Sequence, residues 1–385
     1  MAAEKFEIMT GKKNNVAIDR HLKILFITRA SLFNVMGGDT IQVMKTAEAL
    51  QKAGVTADIK LCDEKNIDYS RYELIHFFNI RHPADMLLHI DESKLPYVIS
   101  TIHVDYTIPR KSSGIKNSIL NLFSSNTQEY IKTVSKSIMQ GEKIISCNYL
   151  WMGHKRSVRK VLKNASMLLP NSENEYKRLL HSYRIEKKYS VIPNGADSEL
   201  FNYSNDEIRI KDKAMVLCVA RIELIKNQMN LIRALNDTEF ELYLIGNPAP
   251  NHVAYYNECK KISRPNIHFI NAIPQEELVQ YYKKARVHIL PSWFETTGLS
   301  SLEALFCGCN IVVTKYGDTK DYFDPENCFF CDPGSIASIR EAVAAAAVHA
   351  TNTLYIDEVM DKYNWQQAAQ KTVLAYQKVI LNTKQ

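Results

Sequence analysis

Two glutamates, Glu295 and Glu303, enclose the segment Thr296-Thr297-Gly298-Leu299-Ser300-Ser301-Leu302. The Thr-Thr-Gly-Leu run leads into a helix-forming stretch, so its backbone N–H groups and the positive helix end make an anion site. Carboxylates flanking such a site suit hydrogen bonding to sugar hydroxyls, one on a hexose and one on a ribose. Taken singly, they fit a capping acid and an exposed helical glutamate; the whole constellation is what points to chemistry. Upstream, Arg221 and Lys226 share one strand-to-helix loop, where a guanidinium fork and an ammonium can grip phosphate oxygens together. As a bare pair they would be two solvated surface cations.

The elements that must position these groups are legible as apolar runs. Leu22–Ile27 is short, branched and apolar, as a buried parallel strand requires. A loop with Gly37-Gly38-Asp39 follows, then a helical period with Val43, Ala47 and Leu50 on one face, stopped by Gly54, and a strand over Thr56–Leu61. This β-α-β unit implies a parallel sheet. Further strands are expected at Leu74–Phe78, Tyr97–Ile102 and Ser166–Leu169. A second series runs Met215–Ala220, Glu241–Ile245, Ile267–Ile270, Val287–Leu290 and Ile311–Thr314. Residues 193–212 are polar and irregular and read as a hinge. The architecture is two Rossmann-like α/β domains facing each other across a cleft: 1–194, then 195–363, with a C-terminal helix (364–385) crossing back. Ligands in such sheets bind beyond the carboxyl ends of strands.

A chain of 385 residues, 46% hydrophobic and 23% charged, has room for two full cores, which excludes disorder and disulfide scaffolds. No G-x-G pair occurs, so the nicotinamide-dinucleotide fingerprint is missing, as is the G-x-x-x-x-G-K-[ST] phosphate loop. No D-x-D occurs to hold a divalent metal against a diphosphate, so an anion must be neutralised by side chains and helix ends, without metal or other cofactor. Eight scattered cysteines with no completing histidine read as buried, reduced thiols. Residues 1–20 carry no apolar signal core and no run approaches a membrane span, so a cytoplasmic protein is expected.

Several segments together resemble the family-4 retaining glycosyltransferases of the two-domain B-type fold. Glu295 to Glu303 is an E-x7-E pair, and Val191-Ile192-Pro193-Asn194-Gly195-Ala196-Asp197 with Phe201 resembles the inter-domain signature. Ala220-Arg221 through Lys226-Asn227 resembles the diphosphate loop. Pro274-Gln275-Glu276-Glu277-Leu278 through Ala285, with Leu290-Pro291-Ser292, resembles the approach to the donor site. Gly37-Gly38 resembles the N-domain glycine loop, and Thr101-Ile102-His103 the catalytic-side strand end. The likeness implies that Glu295 holds donor-sugar hydroxyls, Glu303 the ribose and His103 the sugar from the opposite domain. Arg221, Lys226 and the amides at Gly298 and Leu299 would hold the diphosphate, with Gly37, Gly38, Ser300 and Ile273 completing the donor site. The chain departs from the family pattern at Thr296-Thr297, where Gly-Phe is usual, and at Cys309-Asn310-Ile311 after Gly308. Both changes bear on the donor sugar. A nucleotide-sugar epimerase of the same fold and a non-catalytic sugar-nucleotide or membrane-surface binding protein are the alternatives.

The N-terminal half is the acceptor side, and its peculiarity is charge. Between Arg110 and Lys163 lie eleven Lys/Arg against two Glu, a net of 11 − 2 = +9 in a chain whose total is +6. Aromatic and apolar residues (Leu120, Phe123, Ile138, Tyr149, Trp151) are interleaved. Besides a solvated helical face, this suits contact with anionic lipid headgroups on an inner membrane face. A lipid-linked glycan acceptor, as in lipopolysaccharide or another envelope polysaccharide, follows from that. No nucleic-acid recognition motif is present.

Overall fold

The computed structural model describes residues 22–383 apart from 35–36, 105–126, 128–129 and 131–146. Two parallel sheets make two domains. The first has strand order β2-β1-β3-β4-β5, from β1 (Lys23–Thr28), β2 (Thr56–Leu61), β3 (Leu74–Phe78), β4 (Tyr97–Ser100) and β5 (Met167–Leu169). The second has order β11-β10-β9-β6-β7-β8, from β6 (Asp212–Val219), β7 (Glu241–Ile245), β8 (Ile267–Ile270), β9 (Ala285–Leu290), β10 (Asn310–Thr314) and β11 (Phe329–Cys331). The central strands are buried on both faces, which is why they read as unbroken apolar runs.

Strand ends moved in ways with local causes. β4 stops at Ser100 because Ile102 turns to a left-handed φ of 45°. β6 starts at Asp212, inside the stretch read as a hinge, and that stretch also holds a helix, Asn205–Arg209. Its signal is Ser204 three residues before Glu207: the serine hydroxyl accepts from the Glu207 N–H (3.2 Å) and the glutamate from the Ser204 N–H (2.9 Å). The three-residue β11 went unread in the sequence.

The domains meet along the linker. Ala196 N–H donates to the Tyr363 carbonyl (2.9 Å), so the outgoing and returning chains run side by side. The last helix, Trp365–Thr383, then lies on the first domain, burying Trp365, Val373 and Tyr376 with Phe26, Val43 and Leu50. Tyr376 meets His76 Nδ1 at 2.7 Å in that core. Burial lowers the His76 imidazole to about 3, so the ring is neutral. The described cysteines other than Cys147 are buried and free, and no helix among the described residues is long and apolar enough to cross a membrane.

Candidate active site

In the second sheet the strand order reverses between β6 and β9, the place where open α/β sheets bind ligands. The loop after β6 carries Arg221 and Lys226; the loop after β9 carries Glu295. Backbone bonds lock these loops together: Trp293 N–H donates to the Ile225 carbonyl (2.8 Å). Asn227, left-handed at φ 59°, gives its amide to the carbonyls of Pro291 (3.1 Å) and Pro333 (2.8 Å).

The structure brings Lys226 and Glu295 into an ion pair, Nζ to Oε2 2.7 Å, and Ser292 Oγ donates to the same oxygen at 3.0 Å. Both bonds fall on Oε2, which leaves Oε1 for a hydroxyl donor. Burial pulls the Lys226 ammonium toward neutrality, but the Glu295 carboxylate outweighs it and holds its proton affinity above the ordinary lysine value. Arg221 pairs with Glu223 (3.0 Å) and stays 43% exposed on its side chain. Gly37 lies across the cleft: a Cβ there would come within 3.9 Å of the Arg221 guanidinium. Gly37 of the first domain thus faces Arg221 of the second.

Gly298 sits at φ 68°, a left-handed turn that L side chains rarely adopt, and caps the helix Leu299–Phe306. The first N–H groups of that helix lack intrahelical acceptors, the arrangement that an anion at a helix start would use. Glu303, on its second turn, is buried rather than exposed. It accepts from Tyr282 OH (3.1 Å) and Gln275 Nε2 (3.3 Å). Burial raises its carboxyl to about 7 against these bonds. The loop after β10 supports the site from behind. Gly317, at φ 101°, has its Cα against the Glu295 peptide, where a Cβ would overlap the carbonyl oxygen.

His103 follows β4, buried, with its ring toward the helix Glu173–Tyr183: Nε2 lies 3.5 Å from Ser182 Oγ and the ring meets Tyr183 edge-on at 5.8 Å. Its backbone is held by a group the sequence reading missed. The fully buried Glu175 takes Thr101 Oγ1 and His103 N–H (2.8 Å) on Oε1 and Asn171 N–H (2.8 Å) on Oε2. These bonds straddle Ile102, whose left-handed φ costs a β-branched residue roughly 1–3 kcal/mol. Burial raises the Glu175 carboxyl, opposed by those bonds. The sequence signal was present, since Ser172-x-x-Glu175 has the form of a capping box. Ser172 does cap, accepting from the Glu175 N–H at 2.9 Å, but the carboxylate is spent on the segments after β4 and β5 instead. Ile273 lies in the loop after β8 and Gly38 opens the helix Gly38–Lys52 after β1, and their donor contacts stay expectations.

The basic segment is only partly described: Arg110, Lys111, Lys116, Lys132, Lys136 and Lys143, with Leu120, Phe123 and Ile138, lie outside the described residues. The helix Cys147–Asn164 holds the rest. Arg159 and Lys160 are not free surface cations. Arg159 Nη1 donates to the Tyr183 carbonyl (2.5 Å), capping a helix end, and Lys160 pairs with Asp91 (3.4 Å). Lys155, Arg156 and Lys163 are exposed, and Trp151, on the other side of a break at Gly153 (φ 70°), is 91% exposed.

Residues 201–348, most of the second domain, match the family model of Glycosyl transferases group 1. A D-inositol 3-phosphate glycosyltransferase of Corynebacterium glutamicum is 26% identical over 180 residues, 41% of this chain and 43% of that protein. The chain spans about half the length of the curated relatives it matches. The sucrose-phosphate synthase of Thermosynechococcus elongatus superposes with a TM-score of 0.71 at 16% identity, over 94% of this chain and all of that one. Anabaena Alr3699/HepE in complex with UDP and glucose gives 0.65 at 15% identity, over 92% and 99%. The fold is the two-domain B-type glycosyltransferase fold expected from the sequence.

Proposed function

We propose that the protein is a retaining, metal-independent glycosyltransferase that moves a hexose from a nucleotide-diphosphate sugar to an acceptor held by the first domain. One observation carries this: Arg221, Lys226, Glu295, the Gly298-led helix and Glu303 converge at the switch point of one sheet. The cations and helix N–H groups take the diphosphate. Glu295 Oε1 accepts a hexose hydroxyl and Glu303 accepts from the ribose. As the glycosidic bond breaks, negative charge grows on the leaving phosphate, and preorganised donors there act mainly on the transition state. The phosphate takes the acceptor's proton on the same face, so configuration is kept without a separate general base. Closure about the linker excludes water. The complexes of Alr3699/HepE with UDP and of Arabidopsis thaliana starch synthase IV with ADP favour a nucleotide-diphosphate donor.

For the acceptor, the exposed Lys155, Arg156 and Lys163 and an exposed Trp151 favour a lipid-linked glycan at an anionic membrane surface. The names of the curated relatives favour a second reading, a small phosphorylated polyol or sugar. The test is thermal shift with UDP, GDP and ADP hexoses, then transfer assays with excess chelator on phosphorylated small acceptors and on lipid-linked glycans. Turnover of donor alone, with no acceptor, would place the protein among the epimerases; loss of transfer on chelation, restored by a divalent metal, would remove the metal-free mechanism.

A further inference from the structure

The helix Glu173–Tyr183 belongs to the first domain, packing Tyr176, Leu179 and Tyr183 into its core. Yet Arg178 on that helix reaches the second domain. Its guanidinium makes a two-pronged pair with Asp318, Nη2 to Oδ2 at 2.7 Å and Nη1 to Oδ1, and lies over the Phe294 ring at 4.9 Å. The same Nη2 donates to the His103 carbonyl at 3.0 Å. Asp318 is itself fastened to the active-site loop, because its N–H donates to the Glu295 carbonyl at 2.8 Å. Its side chain is 1% exposed, and the Arg178 guanidinium, with the Ser172 side chain, takes the place of water around it.

We propose that Arg178 is a positioning residue that joins the peptide carrying His103 in one domain to the loop carrying Glu295 in the other. Only a planar fork meets three acceptors at fixed angles; an ammonium is a point charge that cannot hold both the carboxylate and the carbonyl in register. Glu175, three residues earlier on the same helix, holds the other side of the His103 peptide from within its own domain. The helix therefore grips His103 on both sides, through Glu175 internally and through Arg178 to the opposite domain. Aligning two half-sites from separate domains before the reaction is worth rate, not nucleotide affinity, since the diphosphate groups lie in the second domain alone.

The inference rests on the glycosyl-transfer reading for its kinetic consequence, and hydrogen exchange tests the coupling separately. In the full chain, Arg178→Ala should raise amide exchange in both segments 99–104 and 292–298 by about tenfold or more, the loss of a charge-assisted bond. Asp318→Asn should reproduce this, Arg178→Lys should recover part of it, and Glu175→Gln should loosen 99–104 alone. With donor and acceptor, Arg178→Ala should lower kcat while calorimetry shows the parent's affinity for the nucleoside diphosphate. Exchange that rises in one segment only, or uniformly with a lowered Tm, overturns the proposal. So does a parent-like kcat in a variant whose two loops have both loosened. A parent that transfers no sugar, yet shows the coupled exchange, sinks the glycosyl-transfer reading and leaves the link between the domains standing.

Discussion

The two faces of the cleft are built on different principles. On the second domain Arg221, Lys226 and Glu295 come from the loops after two adjacent strands and Glu303 from the helix that follows the second, and backbone bonds between those loops fix them. On the first domain the position of His103 depends on Glu175 and Arg178, more than seventy residues away and on another element. A face assembled from neighbouring loops can be read as a motif. A face assembled by one distant helix cannot. The difference matches the tasks in the proposed reaction, where a diphosphate needs fixed cations and amides and the opposite face must move into register.

The strongest way to break that contrast is at Lys226. Lys226→Ala removes a phosphate cation and leaves Glu295 buried with Ser292 as its described partner. Titration calorimetry should show nucleoside-diphosphate affinity weakened by about 1.5–3 kcal/mol, with the smaller loss for the more exposed Arg221→Ala. Unchanged affinity in both would strip the second domain of its donor role.

Glu295→Gln sharpens the contrast within that domain. The amide keeps the shape but places a donor where the sugar hydroxyl also donates. Steady-state rates should fall by about tenfold or more while nucleotide affinity holds, since one charge-assisted bond to the reacting sugar is lost. Parent-like turnover would reassign the E-x7-E pair.

Glu303 adds a pH signature. With its carboxyl raised by burial from 4.5 to about 7, the native protein keeps a proton that the unfolded chain releases in that window. The native state binds more protons, so stability falls as pH rises through it, by up to about 3 kcal/mol at 1.36 kcal/mol per pH unit. Glu303→Gln should lose this slope in melting curves. Donor affinity should also rise between about pH 6 and about pH 8 in the parent alone, as the ionised carboxylate becomes available to the ribose. A Gln variant with the parent's slope would place the titration elsewhere.

The smallest chemical effect is expected on the outer surface of the first domain. Reversing Lys155, Arg156 and Lys163 to Glu, while sparing Arg159 and Lys160, should abolish low-salt co-sedimentation with anionic vesicles and leave nucleotide titration unchanged. Each cation contributes on the order of 1 kcal/mol there. Pelleting that ignores vesicle charge would favour the small soluble acceptor.

The sequence by itself determined the two parallel sheets and the donor-side loops. Buried parallel strands are apolar along their whole length, as in β1, β3 and β9, and Gly298 marks a left-handed turn that few other residues tolerate. Such signals are local, carried by residues a few positions apart. Three-residue β11 was too short for any period, and the Asn205–Arg209 helix was hidden in a polar stretch. Tertiary structure alone decided how the groups are spent. Arg159 caps a helix end, and Lys226 is already paired with Glu295. Glu175 holds the segment after β4 instead of closing its capping box, and Arg178 spans the domains. Each of these joins residues from 24 to 140 positions apart, and which of a side chain's acceptors it meets is fixed only when both ends have folded.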